Sequence, residues 1–147
     1  GTENQAIFRS DAERALTRLH PGDGPLDFLA AAYLALGDLD RAQALGDEGR
    51  ARDCSRATGA HARGNCEAWY RALSGQDLGL ARADIEAAVA ADPNRSEFLD
   101  TLAVVLEAQG DAEAARDAAF RAASLVPDDV YLLWQAARLD AAARPEG

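Results

Sequence analysis

Residues 110–127 read GDAEAARDAAFRAASLVP, and residues 76–93 read QDLGLARADIEAAVAADP. The two stretches align at a constant offset of 34 residues, with Gln76-Asp77 on Gly110-Asp111, Ala81 on Ala115, Ala88 on Ala122 and Pro93 on Pro127. Each matched pair restrains the backbone: the polar dipeptide suits a turn, alanine lets two helices approach closely, and proline ends a helix. The pattern indicates a repeated pair of helices.

A third copy lies upstream, where residues 28–42 read FLAAAYLALGDLDRA and place Gly37-Asp38 in the same turn. From Gly37 to Gln76 is 39 residues, five more than the period. The extra residues fall in the segment 53–64, which has no helical apolar period and is predicted to be an enlarged loop. The second helix of this copy contains Gly46 and Gly49, where alanine or larger residues are expected.

These features resemble the tetratricopeptide repeat family over roughly residues 23–129. The residues that carry the resemblance are Leu29, Ala30, Tyr33, Gly37 and Ala42 in the first unit, and Leu102, Ala103, Gly110, Ala115, Ala122 and Pro127 in the third. The middle unit diverges most, since Trp69 stands where a small residue is usual and Gln76 where glycine is usual.

The resemblance implies an all-α fold, a right-handed superhelix of stacked antiparallel helix pairs with flanking N- and C-terminal helices. The predicted helices cover residues 4–19, 25–36, 39–52, 65–74, 78–91, 96–109, 112–125 and 129–143. The corresponding division is an N-terminal helix in 1–22, repeat 1 in 23–56, an inserted loop at 57–61, repeat 2 in 62–95, repeat 3 in 96–129 and a capping helix in 130–147. The capping helix is expected to cover the end of the stack.

The composition agrees with a helical domain and argues against nucleic-acid binding and membrane insertion. Alanine supplies 35 of the 147 residues, every basic residue is arginine, and the formal net charge is −10. So acidic a chain is a poor binder of nucleic acid, and its apolar runs are too short to insert in a membrane. Methionine is absent even at position 1, which is typical of a processed product or an excised segment.

The resemblance also implies a binding surface, because the first helix of each pair lines the concave side and the family binds extended or helical peptides there. The inward positions would be Asp27, Ala31 and Leu34, then Cys66, Tyr70 and Leu73, then Asp100, Val104 and Glu107, and finally Trp134 and Arg138. Trp69 would point into the core. This lining is apolar and acidic, so the expected partner is a protein segment with apolar and basic residues.

Cys54 and Cys66 are the only cysteines, and they bracket the predicted loop. They are open to three interpretations: a disulfide, two free thiols, or a metal site with His61 as a third ligand. A disulfide would favour an exported or periplasmic location, and free thiols a cytoplasmic one.

No enzyme chemistry or cofactor site can be argued from the sequence. His20 and His61 have no partners at the spacing of a triad or metalloprotease motif, and no glycine-rich phosphate loop is present. The prediction is therefore a non-enzymatic protein-interaction scaffold, within a bacterial multiprotein complex given the composition. The alternatives are the repeat arm of a larger enzyme, such as a kinase, transferase or protease, and a self-associating structural spacer.

Overall fold

The computed structural model describes residues 25–145, and over this range the chain forms seven α-helices and no β-strand. The helices are α1 Leu26–Ala35, α2 Leu39–Asp53, α3 Ala60–Ser74, α4 Leu78–Ala91, α5 Ser96–Ala108, α6 Ala112–Leu125 and α7 Val130–Ala143, with a short 3-10 turn at Cys54–Arg56. The helix predicted for 4–19 and His20 lie outside the described residues. None of the seven described helices is long and apolar enough to cross a bilayer.

The helices pack as a stack of antiparallel pairs. α1 packs with α2, α3 with α4 and α5 with α6, while α7 packs on α6. The first helices of successive pairs also meet, α1 with α3 and α3 with α5. The predicted all-α superhelical stack is thereby confirmed for the described residues.

Each pair turns at a glycine. Gly37, Gly75 and Gly110 adopt left-handed φ angles of 81°, 71° and 85°, which residues with a Cβ rarely tolerate. The residue after each glycine donates its backbone N–H to the carbonyl five residues earlier, which closes the end of the first helix. After Gly37 and Gly110, an aspartate caps the second helix by accepting a backbone N–H with its side chain.

Between the turn glycine and the start of the second helix, the middle pair has one residue more than the third pair. Gly75 makes the backbone hydrogen bond that Gly110 makes in the third pair, so these two glycines are equivalent. The second helices begin after Asp77 and after Asp111, so these two aspartates are also equivalent. The offset is therefore 110 − 75 = 35 for the first helix of the pair and 111 − 77 = 34 for the second. The prediction that Gln76 replaces the turn glycine is wrong. The extra residue places Asp77 at a φ of 44°.

Alanine forms the crossing points, as the repeat predicted. Ala42, Ala81 and Ala115 have no exposed surface, and neither have Ala88 and Ala122 later in the same helices. Their small side chains let the paired helices approach closely enough to exclude water. Larger buried side chains such as Leu26, Ile85, Phe98, Leu99 and Leu139 fill the remaining core.

Gly46 and Gly49 form a notch in α2 that receives α3. A Cβ added at Gly49 would overlap the Tyr70 ring, and one added at Gly46 would come within 2.5 Å of the Ser74 hydroxyl oxygen. Both glycines are buried and α2 continues past them to Asp53. They serve close packing between successive pairs.

The predicted loop over 53–64 is mostly helical, which corrects that expectation. α2 runs to Asp53, the 3-10 turn follows at once, and α3 begins at Ala60, five residues before the predicted start at 65. Only residues 57–59 join them. The first turn of α3 shows no apolar period because it projects beyond the core, with Ala60, His61 and Arg63 exposed.

The last helix covers the stack with one face and leaves an apolar face open. Leu132, Ala136 and Leu139 are buried. Val130, Leu133 and Trp134 are 78%, 49% and 57% exposed. This open face departs from the usual pattern, because the outer side of a terminal repeat is normally polar.

Candidate functional site

An open pocket of about 510 Å³ lies on the side of the stack formed by the first helices. α1, α3, α5 and α7 all contribute to it. Its lining residues are Phe28, Asn65, Cys66, Trp69, Glu97, Asp100, Thr101 and Tyr131. Three aromatic rings thus surround a small number of polar groups, which is the usual make-up of a ligand site.

The one-residue extension of the middle turn decides which side chains of α3 reach the pocket. With the offset of 35, Asn65, Cys66 and Trp69 correspond to Asp100, Thr101 and Val104 of α5. An offset of 34 would instead place Tyr70 opposite Val104. Because one residue is about 100° of helix rotation, the shift exchanges the roles of Trp69 and Tyr70.

Trp69 is half-buried: it packs against the core, where it was predicted, and it also lines the pocket. Its indole Nε1 donates a hydrogen bond of 3.0 Å to the Asp27 carboxylate, joining α3 to α1. Asp27 also accepts the backbone N–H of Phe28 at 2.8 Å. The carboxylate of Asp27 is therefore occupied within the protein, and it holds the indole in place.

Tyr70 faces α2 and not the groove, so its predicted place in the lining is wrong. The side chain is buried in the Gly49 notch, and its hydroxyl donates a hydrogen bond to the Asp53 carboxylate. Burial and the nearby carboxylate raise the pKa of Tyr70 to about 12. Hydrogen bonds from Arg52 and Tyr70 lower the pKa of Asp53 to about 2.

Asp100 is the most buried acidic group of the pocket, with 8% of its surface exposed. Its Oδ1 and the Oδ1 of Asn65 are buried and have no hydrogen-bond partner in the described part of the chain. Burial raises the pKa of Asp100 to about 6, and side-chain hydrogen bonds with Tyr131 and Gln135 partly offset this rise. An unpaired buried acceptor typically costs about 1–3 kcal/mol of stability.

Glu107 is neutralised, so it does not add to an acidic lining as predicted. Arg138 donates to both of its carboxylate oxygens, at 2.6 and 3.0 Å, and also to Gln135 at 3.0 Å. The Arg138 guanidinium lies 5.6 Å from the centre of the Trp134 ring. The side chains of Glu107 and Arg138 therefore serve to hold α5 and α7 together.

The remaining predicted positions lie beside the pocket or beneath it. Ala31 is half-buried, Val104 is buried in the core, Leu73 packs at the edge of that core, and Leu34 lies over Gly75. Trp134 is exposed next to Tyr131, with 6.1 Å between the ring centres. Only Cys66 and Asp100 of the predicted set line the pocket. Phe28, Asn65, Glu97, Thr101 and Tyr131 were missed, although aligning glycine with glycine would have indicated Asn65.

The cysteine pair closes the side of the pocket near α3. Cys54 and Cys66 are joined by a disulfide with 5.4 Å between their Cα atoms, a usual separation for such a bond. Cys54 is buried under the 3-10 turn, and Cys66 lines the pocket. The bond ties the end of α2 to the helix that carries Trp69.

No family model and no curated protein matches this sequence. Among solved structures, the first tetratricopeptide-repeat domain of the human RPAP3 protein, determined by NMR, is similar at a TM-score of 0.51 and 17% identity. The similarity covers 80% of this chain and 88% of that one. This chain has the tetratricopeptide-repeat fold. A second similar structure, Naa15/Naa10 bound to HypK-THB, has a TM-score of 0.46 and 26% identity over 90% of this chain. That similarity covers 21% of the other chain.

Asp100→Asn should raise the free energy of unfolding at pH 7 by on the order of 1 kcal/mol. The carboxyl has a pKa of about 6 in the folded protein, above its ordinary 3.8, so the folded state binds the proton more tightly. Ionisation therefore destabilises the fold as the pH rises from about 4 to about 6. Urea unfolding across this range should show the two proteins closest at low pH and furthest apart at neutral pH.

The exposed Asp117 on α6 provides a matched control, since Asp117→Asn makes the same change in charge with its side chain 69% exposed. This variant should show no pH-dependent difference from the parent protein. A stability difference for Asp100→Asn that does not change between about pH 4 and 6 would contradict the assignment.

Proposed function

We propose that this domain is a protein-interaction scaffold that binds an extended or helical segment of a partner protein in the pocket formed by its first helices. The observation that carries the proposal is the cluster of Phe28, Trp69 and Tyr131 around one open pocket. Aromatic side chains in a concave surface are the commonest energetic centres of protein interfaces. Acidic side chains beside them favour a partner segment with basic as well as apolar residues.

The setting proposed for this scaffold is a bacterial multiprotein complex in an oxidising compartment. The arginine-only, alanine-rich composition supports the bacterial origin, and the disulfide supports the compartment. We assign no catalytic role to the domain.

Phe28→Ala should weaken capture of the partner by about tenfold, because it removes a ring from the pocket wall. Phe28 is 53% exposed on α1. Phe120, 47% exposed on α6 and absent from the pocket lining, offers a matched control of the same residue type. The domain is used as bait, a captured partner is identified, and its affinity is then measured for both variants.

The result expected is a loss for Phe28→Ala and none for Phe120→Ala, with both variants folded by circular dichroism. If Phe120→Ala weakens binding and Phe28→Ala does not, the interface lies on the second helices and the proposal is wrong.

A self-associating spacer is a second candidate, favoured by the open apolar face of α7. Val130, Leu133 and Trp134 are all substantially exposed there. Sedimentation equilibrium of the parent protein and of Leu133→Glu tests it. A concentration-dependent dimer that the substitution abolishes would support this function, and a monomer at every concentration would contradict it.

A further inference from the structure

The pocket contains a buried carboxylate oxygen that has no hydrogen-bond partner within residues 25–145. Asp100 Oδ1 is buried and unpaired, and so is the Oδ1 of Asn65, which occupies the equivalent position on α3. Both residues line the same pocket. Tyr131 and Gln135 form hydrogen bonds with the Asp100 carboxyl group, but an ionised carboxylate can only accept hydrogen bonds, so what Oδ1 still lacks is a donor.

Two arginine side chains near the ends of α5 and α7 are engaged elsewhere. Arg138, whose charge acts on Asp100, donates to Glu107 and Gln135. Arg95 pairs with Glu97 at 3.2 Å, and its guanidinium lies 4.5 Å from the centre of the Phe98 ring. Within residues 25–145, neither of these two arginines donates to Asp100, so a donor from a partner molecule can fill this position.

The walls of the pocket suit a planar cation on an apolar stem. Trp69 is anchored by its hydrogen bond to Asp27, and the part of its ring that does not pack on the core lines the pocket. Tyr131 and Phe28 supply two further rings, and about 510 Å³ is ample for one long side chain. Arginine combines several N–H donors with a flat, weakly hydrated group that stacks on aromatic rings, whereas the lysine ammonium is compact and strongly hydrated.

We propose that the pocket receives an arginine side chain of the partner segment, whose guanidinium donates to the Asp100 carboxylate and whose stem packs against Trp69 and Tyr131. This inference rests on the proposed function, since it specifies what the partner inserts. Asn65 provides a second acceptor beside the same cation.

The probes are three short blocked peptides of identical sequence, with arginine, citrulline or lysine at the centre. Citrulline keeps the shape of arginine but has no charge and has an acceptor oxygen in place of two N–H donors. The binding of each peptide is followed by NMR from the indole N–H signal of Trp69, which a Trp134→Phe variant distinguishes from that of Trp134. We expect the arginine peptide to bind at least tenfold more tightly than the citrulline peptide, and more tightly than the lysine peptide.

Two substitutions that each remove one negative charge test whether the arginine binds at Asp100. Asp100→Asn should weaken the arginine peptide by about tenfold, whereas Asp117→Asn on α6 should leave it unchanged. Asp100→Asn is expected to stabilise the fold, so unfolding would not explain a loss of binding, and thermal melting checks this. Equal affinity for arginine and citrulline, or equal effects of the two substitutions, would overturn the inference.

The outcome also separates this inference from the proposed function. If Phe28→Ala weakens the natural partner while the arginine peptide does not bind, the scaffold function stands and the arginine pocket is wrong. If the arginine peptide binds through Asp100 while Phe28→Ala leaves the natural partner unaffected, the pocket is a guanidinium site and the partner binds elsewhere.

Discussion

Reduction of the Cys54–Cys66 disulfide should lower the free energy of unfolding by about 3 kcal/mol. The two cysteines are 12 residues apart, and the bond closes the chain from the end of α2 to α3. A cross-link of this kind removes conformations mainly from the unfolded chain, so its loss destabilises the fold by the entropy that the unfolded chain regains. Urea unfolding with and without a reductant measures the difference.

The matched control is the double variant Cys54→Ala and Cys66→Ala. It should be less stable than the oxidised parent, and reductant should leave its unfolding curve unchanged. Thiol titration of the denatured, unreduced parent should find no free thiol. Two titratable thiols would contradict the bond and remove the support for an oxidising compartment.

Gly49→Ala should destabilise the domain by about 1–3 kcal/mol, opposite in sign to the usual gain when alanine replaces glycine in a helix. The added Cβ would overlap the Tyr70 ring, which is buried and held by its hydrogen bond to Asp53. The ring cannot move aside without losing that hydrogen bond or opening the contact between α2 and α3. Chemical denaturation of the parent and the variant measures the effect.

Gly64 is the matched control because it also lies inside a helix but has room for a side chain. A Cβ there would meet Asp84 at 3.6 Å, an ordinary contact, so Gly64→Ala should stabilise by up to about 1 kcal/mol. In a Tyr70→Ala background, Gly49→Ala should no longer destabilise. If Gly49→Ala stabilises the parent as Gly64→Ala does, the notch is not a close contact.

Local residue preferences account for the features that were predicted correctly. The second helices at 78–91 and 112–125 were predicted with the bounds that the structure has. Alanine at the crossings and glycine or aspartate at the turns restrict the backbone within a few residues, so a pattern in one segment is enough to predict them. Residues 60–64 were not predicted to be helical, because their side chains are mostly exposed and show no apolar period.

The sequence by itself determined an all-α repeat with its turns and crossing points, because sterics and helix propensity act locally. Only the tertiary structure decided which face of α3 lines the pocket. One extra residue before Asp77 changes the correspondence of α3 with α5 by one position, which is about 100° of helix rotation from the face expected at an offset of 34, so Trp69 lines the pocket and Tyr70 enters the Gly49 notch. Either rotation gives an amphipathic helix, and only the fit of Tyr70 against Gly49 and of Trp69 against Asp27 selects one. The two contacts join side chains that are separated by 21 and 42 positions in the sequence, so the periodicity of a single segment cannot reveal them.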